Sequence, residues 1–157
     1  MATVLVIDDE AAIRLLCRVN LEAEGIRVLE ASDGNDGLAQ ARGERPDVIL
    51  LDVMMPGLDG WEVAEELVTD ERTRDIPIVF LTARADFRDR ERGLEAGGIA
   101  YLTKPFNPLE LAPLIEDLLA RLGRGERAEM RRERIAELRD VVMGNGARRL
   151  RAEGLEA

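Results

Sequence analysis

The sequence predicts an α/β domain, a parallel sheet covered by helices on both faces. Two observations lead there. Apolar runs of four to six residues, rich in Val, Ile and Leu, recur along the chain with longer amphipathic stretches between them. The alternation is strict, and strands joined through helices run parallel and bury both faces. Right-handed crossovers then make the sheet doubly wound.

In chain order, a strand over 3–7 opens the domain. A helix over 11–24 follows, in which Ile13, Leu16, Cys17, Asn20, Leu21 and Glu24 fall at three-and-four spacing, with Gly25 after it. A strand over 26–30 leads through Asp33-Gly34 to a helix over 34–43, and a strand over 47–51 leads through Pro56-Gly57 to a helix over 59–70. A strand over 77–82 precedes a helix over 86–96. A strand over 100–103 precedes a helix over 108–122, which starts at Pro108 and carries the stripe Leu111, Leu114, Ile115, Leu118, Leu119 and Leu122. In the flavodoxin-like strand order 2-1-3-4-5, the strand over 26–30 lies at an edge. The carboxyl ends of the other four share a rim, where ligands of such sheets gather.

Composition narrows the function. A chain of 157 residues holds one domain of ordinary size and an appendage. A net charge of −10 argues against sequence-independent binding to nucleic acid or to an anionic membrane. The absence of His removes imidazole acid–base catalysis, the commonest metal ligand, and any phosphohistidine carried by this chain. Cys17, the single cysteine, has no internal disulfide partner and reads as a core thiol on the first helix. The opening apolar run is too short to span a bilayer and ends in Asp8-Asp9, so a cytoplasmic location is expected.

The rim is where the chemistry gathers. Asp8 and Asp9 follow the first strand, Asp52 the third and Thr82 the run Ile78-Val79-Phe80-Leu81, while Lys104 comes just after the fifth strand. Lys104 is the only lysine against twenty-one arginines, which marks a place for a compact point charge in preference to a planar fork. Three carboxylates cannot all stay ionised at close range without a cation. Magnesium, which takes one or two protein carboxylates and keeps several waters, suits them. Lys104 and Thr82 would hold the oxygens of a phosphoryl group. With no His in the chain and no Cys or Ser among the strand ends, the nucleophile is a carboxylate, and Asp52 stands alone at a central strand end.

Five fragments in order carry a resemblance: Val4-Leu5-Val6-Ile7-Asp8-Asp9-Glu10, Leu51-Asp52-Val53-Met54-Met55-Pro56-Gly57, Asp59-Gly60, Leu81-Thr82-Ala83 and Tyr101-Leu102-Thr103-Lys104-Pro105-Phe106. Over residues 1 to about 122 the chain resembles the receiver domain of bacterial two-component response regulators. The resemblance implies that Asp52 is the phosphoacceptor. Magnesium would lie on Asp8, Asp9, Asp52 and the backbone carbonyl of Met54, and the phosphoryl group would be contacted by Thr82 and Lys104. It implies a cis Lys104–Pro105 bond. It also implies a switch, in which Thr82 moves inward, Tyr101 follows, and the surface of helix 86–96, strand 100–103 and helix 108–122 changes shape. One departure stands out: Gly97-Gly98-Ile99-Ala100 precedes Tyr101, where the family often carries Gly-Ala and then acidic residues. The resemblance also implies that Met54 and Arg84 would flank the path of a hydrolytic water, and Trp61 reads as a packing aromatic near the site.

A phosphorylation-dependent switch is therefore expected, taking its phosphoryl group from a histidine kinase or phosphotransfer protein and acting on a downstream protein target. A homodimer on phosphorylation is compatible with this. No enzymatic activity is expected beyond magnesium-dependent self-phosphorylation and autodephosphorylation at Asp52. Two alternatives stand beside it. A phosphatase of the haloacid dehalogenase type uses the same residue types, but its nucleophile sits in Asp-x-Asp after the first strand, where this chain has Asp8-Asp9. A constitutive receiver-fold adaptor or dimerisation module would need no phosphorylation.

Residues 123–157 differ in character. They carry nine Arg against seven acids, so residues 1–122 are near −12 and the extension near +2. A helix over 126–143 would place Ile135, Leu138, Val141 and Val142 on one face, too short a stripe for a coiled coil. The extension is too short for a DNA-binding domain. It reads either as a solvated helix or as one that docks on the acidic domain or a partner.

Overall fold

The computed structural model describes residues 1–82 and 98–140. Five strands, β1 (Thr3–Ile7), β2 (Arg27–Ala31), β3 (Val48–Asp52), β4 (Ile78–Thr82) and β5 (Gly98–Thr103), form one parallel sheet in the order β2-β1-β3-β4-β5. The helices are α1 (Ala11–Glu22), α2 (Gly34–Glu44), α3 (Gly60–Thr69), α4 (Leu111–Gly123) and α5 (Arg127–Asp140). The expected fold class and strand order are those observed. The expected helix 86–96, with Arg84, lies outside the described residues, as do Val141 and Val142.

Successive strand residues serve opposite faces, as the pleat requires. Val4, Val6, Leu50, Val79 and Leu81 pack with Cys17 and Leu21 of α1 and with Leu111, Ile115 and Leu118 of α4. Leu5, Ile7, Ile49, Leu51 and Phe80 pack on the other face with Leu38 of α2 and Val63, Ala64 and Leu67 of α3. Cys17 is fully buried, and that burial pushes its thiol up to about 12.

Three local expectations need correction. The predicted stripe of the first helix narrows, because Cys17 and Leu21 meet the sheet with Ile13 beside them while Leu16 stays exposed. The fifth helix starts as a 3-10 turn at Pro108–Glu110, capped by the Asn107 side chain accepting from Leu109 N, before α4 proper begins at Leu111. Strand β5 begins two residues before the expected 100–103. Ile78 pairs with Gly98 and Val79 with Ala100, so Ile99 is the extra residue of a bulge, and Ile99 and Ala100 both serve the α1/α4 face.

Helix α5 packs against β5 and buries Met130 in that same cluster. Arg121 of α4 reaches across to Glu126 and Glu133, and Arg127 donates to the Asp75 carbonyl. Among the described residues, no helix is long and apolar enough to cross a membrane.

Candidate active site

The acidic loop after β1 is set by its own backbone. Asp8 Oδ1 accepts from Glu10 N at 2.9 Å, and Asp8 N donates to Ala31 O at the end of β2. These bonds point a fully buried Asp8 at the rim while Asp9 stays exposed. Oxygens of Asp8, Asp9 and Glu10 lie within 4.8 Å of one another. All three donors are hard carboxylate oxygens, a set that fits magnesium.

Asp52 ends β3 and is 2% exposed. Its Oδ1 accepts from Met54 N at 3.1 Å, whereas the Met54 side chain projects into solvent. The loop after Asp52 is held tight by α3. The Asp59 side chain caps that helix in a reciprocal box with Glu62, at 3.0 and 3.3 Å. Gly60 lies so close to β3 that a Cβ there would stand 2.3 Å from Asp52 O and 2.6 Å from Val53 Cα. Gly57 turns the loop at φ +76°, a conformation that favours glycine.

Thr82 ends β4 and is nearly buried. Its carbonyl accepts from the backbone N of Lys104, which ties the ends of β4 and β5 together. The Lys104–Pro105 bond is cis. Lys104 Nζ lies 2.7 Å from Asp8 Oδ2 and 3.6 Å from both Asp52 Oδ2 and Glu10 Oε1.

The electrostatics follow from this placement. Burial raises the Asp52 carboxyl to about 7, with the Asp8 charge adding to the rise and the Met54 N–H and the Lys104 charge opposing it. Burial alone would lower the pKa of Lys104. The Asp8 hydrogen bond and the charges of Asp52 and Glu10 outweigh it, and the ammonium is held above its ordinary range.

Asp8, Asp52, Thr82 and Lys104 therefore share one small region at the carboxyl ends of four strands. Tyr101 sits on β5 three residues before Lys104, packed against the α2/α3 face of the sheet. Trp61 packs on Phe80 of β4 with ring centroids 4.9 Å apart and planes tilted by 42°. Two neighbours of the site escaped the sequence reading. Glu10 joins the acidic group, and its place in Asp8-Asp9-Glu10 was the available signal. Arg14, on α1, donates from Nη1 to the Asp8 carbonyl at 2.7 Å while its Nε lies 3.3 Å from Glu30 Oε1. Nothing in its spacing announces that contact.

A family model described as the response regulator receiver domain matches residues 4–116. The chain belongs to the response regulator receiver family. This receiver is 44% identical over 124 residues to the phosphate regulon transcriptional regulatory protein PhoB of Pseudomonas aeruginosa, a match that covers 79% of this chain and 54% of PhoB. It is also 44% identical over 124 residues to the DNA-binding dual master transcriptional regulator RpaA of a Synechocystis species, covering 52% of that protein. The chain thus spans about half the length of these curated relatives. Among solved structures, it superposes on the chemotaxis protein CheY4 of Vibrio cholerae with a TM-score of 0.71 and 34% identity, covering 74% of this chain and 98% of that one. A CheY-like receiver from Methanospirillum hungatei superposes with a TM-score of 0.74 at 28% identity, covering 80% of this chain and 98% of that one.

Proposed function

We propose that this receiver is a phosphorylation-dependent signalling switch that accepts a phosphoryl group on Asp52 from a histidine kinase or phosphotransfer protein. The observation that carries the reading is the Lys104 ammonium, 2.7 Å from Asp8 and 3.6 Å from Asp52. An Asp52 oxygen attacks the donor phosphorus as the bond to the leaving imidazole nitrogen breaks. The imidazole departs with that electron pair, and an acyl phosphate remains. Asp52 must be ionised to attack, and the Met54 N–H and the Lys104 charge favour that form against its burial. Lys104 and the Thr82 hydroxyl then hold phosphoryl oxygens.

Asp8, Asp9, Asp52 and the Met54 carbonyl are the residues that would hold magnesium, which when bound supplies positive charge to the phosphoryl oxygens. Glu10 adds negative charge at the edge of that set. Tyr101 follows Thr82 in the switch, and the altered surface is read by a downstream protein target in the cytoplasm. No catalysis is assigned beyond magnesium-dependent self-phosphorylation and autodephosphorylation.

The test is intact mass after incubation with a small acyl-phosphate donor, with and without magnesium. One phosphoryl adduct is expected in wild type with magnesium and none in Asp52→Asn. An adduct that persists in Asp52→Asn refutes the assignment, and no adduct in either points to the constitutive adaptor.

A further inference from the structure

Two peculiarities of this chain meet at one place. Where the receiver pattern often carries acidic residues before Tyr101, this chain has Ile99 and Ala100, which are 0% and 3% exposed. The extension brings Met130, 2% exposed, into the same apolar cluster. Strand β5 is an edge strand, and α5 packs against it. Charged side chains give way to apolar ones at the strand on which the helix is seated.

Polar contacts fix how it sits. Arg121 Nη1 and Nη2 each lie 3.0 Å from a Glu133 oxygen, and its Nε lies 2.9 Å from Glu126 Oε1. A guanidinium engaged bidentately sets orientation as well as proximity. Arg127 adds a hydrogen bond to the Asp75 carbonyl, in the loop before β4. An apolar plug and a forked clamp thus hold α5 across β5 and α4.

We propose that residues 127–140 are this receiver's own first reader, an intramolecular ligand of the β5–α4 face that loosens when Asp52 is phosphorylated. The proposal rests on the phosphoacceptor reading of Asp52. The coupling runs along β5. That strand carries Ile99 and Ala100 under α5, then Tyr101, and it ends beside Lys104, whose ammonium now binds Asp8. A phosphoryl group on Asp52 competes with Asp8 for that ammonium and draws Thr82 inward. Strand β5 shifts relative to α4, and α5 loses the fit it has to both. By reciprocity, unseating α5 favours phosphorylation.

Hydrogen exchange of the full chain tests this, with a small acyl-phosphate donor and magnesium, and with adduct formation read by intact mass in the same samples. Exchange over 127–140 is expected to rise about threefold or more in the phosphorylated protein. An adduct with unchanged or slower exchange there overturns the coupling while the phosphoacceptor reading survives. No adduct sinks that reading and the coupling with it. Met130→Asp should unseat α5 and raise the phosphorylated fraction at equilibrium with donor. Arg121→Glu and Glu133→Arg should each do the same, and the double reversal should restore part of the slow exchange, the contact to Glu126 being lost. The charge-reversal set carries the test if Met130→Asp fails to fold. Variants that unseat α5 yet leave the phosphorylated fraction at equilibrium with donor unchanged also refute the proposal.

Discussion

Lys104 Nζ is bound to Asp8, at 2.7 Å, more closely than to Asp52, at 3.6 Å. The two partners are 96 positions apart in sequence and meet only because β1 and β5 end on the same rim. The ammonium is thus parked on one carboxylate beside the one proposed to react. Because Asp8 is fully buried, removing its cation leaves a charge with little solvation.

Lys104→Met is therefore expected to destabilise the protein in chelator by about 3–5 kcal/mol, the range for breaking a buried pair. Added magnesium should recover part of it. Lys104→Arg keeps the charge but replaces a point with a fork, and its phosphorylation should fall about tenfold or more. Urea unfolding and adduct kinetics measure the two effects. Wild-type values for both variants would mean that the pair has no role.

Asp52 gives a pH signature. Its folded-state pKa of about 7 lies above the unfolded value, so its contribution to stability is fully present at acid pH below that unfolded value. It is lost as pH rises through 7. In chelator, wild type should melt lower at pH 8 than at pH 5.5. The loss accrues from the unfolded value up to 7, so the advantage of Asp52→Asn, which cannot ionise, should be about 5 °C larger at pH 8 than at pH 5.5 and should vanish only below the unfolded value. Parallel melting curves across that range would contradict the assigned shift.

Gly60→Ala places a methyl 2.3 Å from a backbone oxygen, and neither strand nor helix can give way cheaply. A loss of about 1–3 kcal/mol is expected, together with slower phosphorylation as the loop after Asp52 is displaced. Gly43→Ala is the control. A Cβ there meets nothing within 4 Å, and its position in α2 should make the change stabilising by about 0.5–1 kcal/mol. Equal effects from the two substitutions would argue against the close approach.

Arg14 holds the Asp8 carbonyl from behind. Arg14→Ala should weaken magnesium binding, read by calorimetry, by about tenfold, as losses of outer-shell support to a metal ligand do. Arg14→Lys keeps a donor and should recover part of that loss. Unchanged affinity in Arg14→Ala would reduce the residue to a surface ion pair with Glu30.

The rim residues were legible because both faces of the sheet are buried. Burial on both sides turns each strand into an unbroken apolar run, and whatever polar residue ends the run is thereby marked. Asp8, Asp52 and Thr82 carry that mark, and Lys104 follows one residue beyond it, after Thr103. Strand β5 was read short because Gly97-Gly98 looks like a turn, and a bulge at Ile99 has no pattern of its own. The seating of α5 was illegible for another reason. Met130 is a single apolar residue in a charged stretch, and only the apolar surface beneath it makes it an anchor. The contacts of Arg14 likewise depend on where α1 lies, which periodicity does not specify.

The side-chain amine of Lys104 is shielded at 12% exposure and engaged with Asp8, whereas Met1 is 94% exposed. An amine-directed reagent is therefore a probe of the rim, labelling the single lysine of this sequence slowly while Asp8 holds its ammonium.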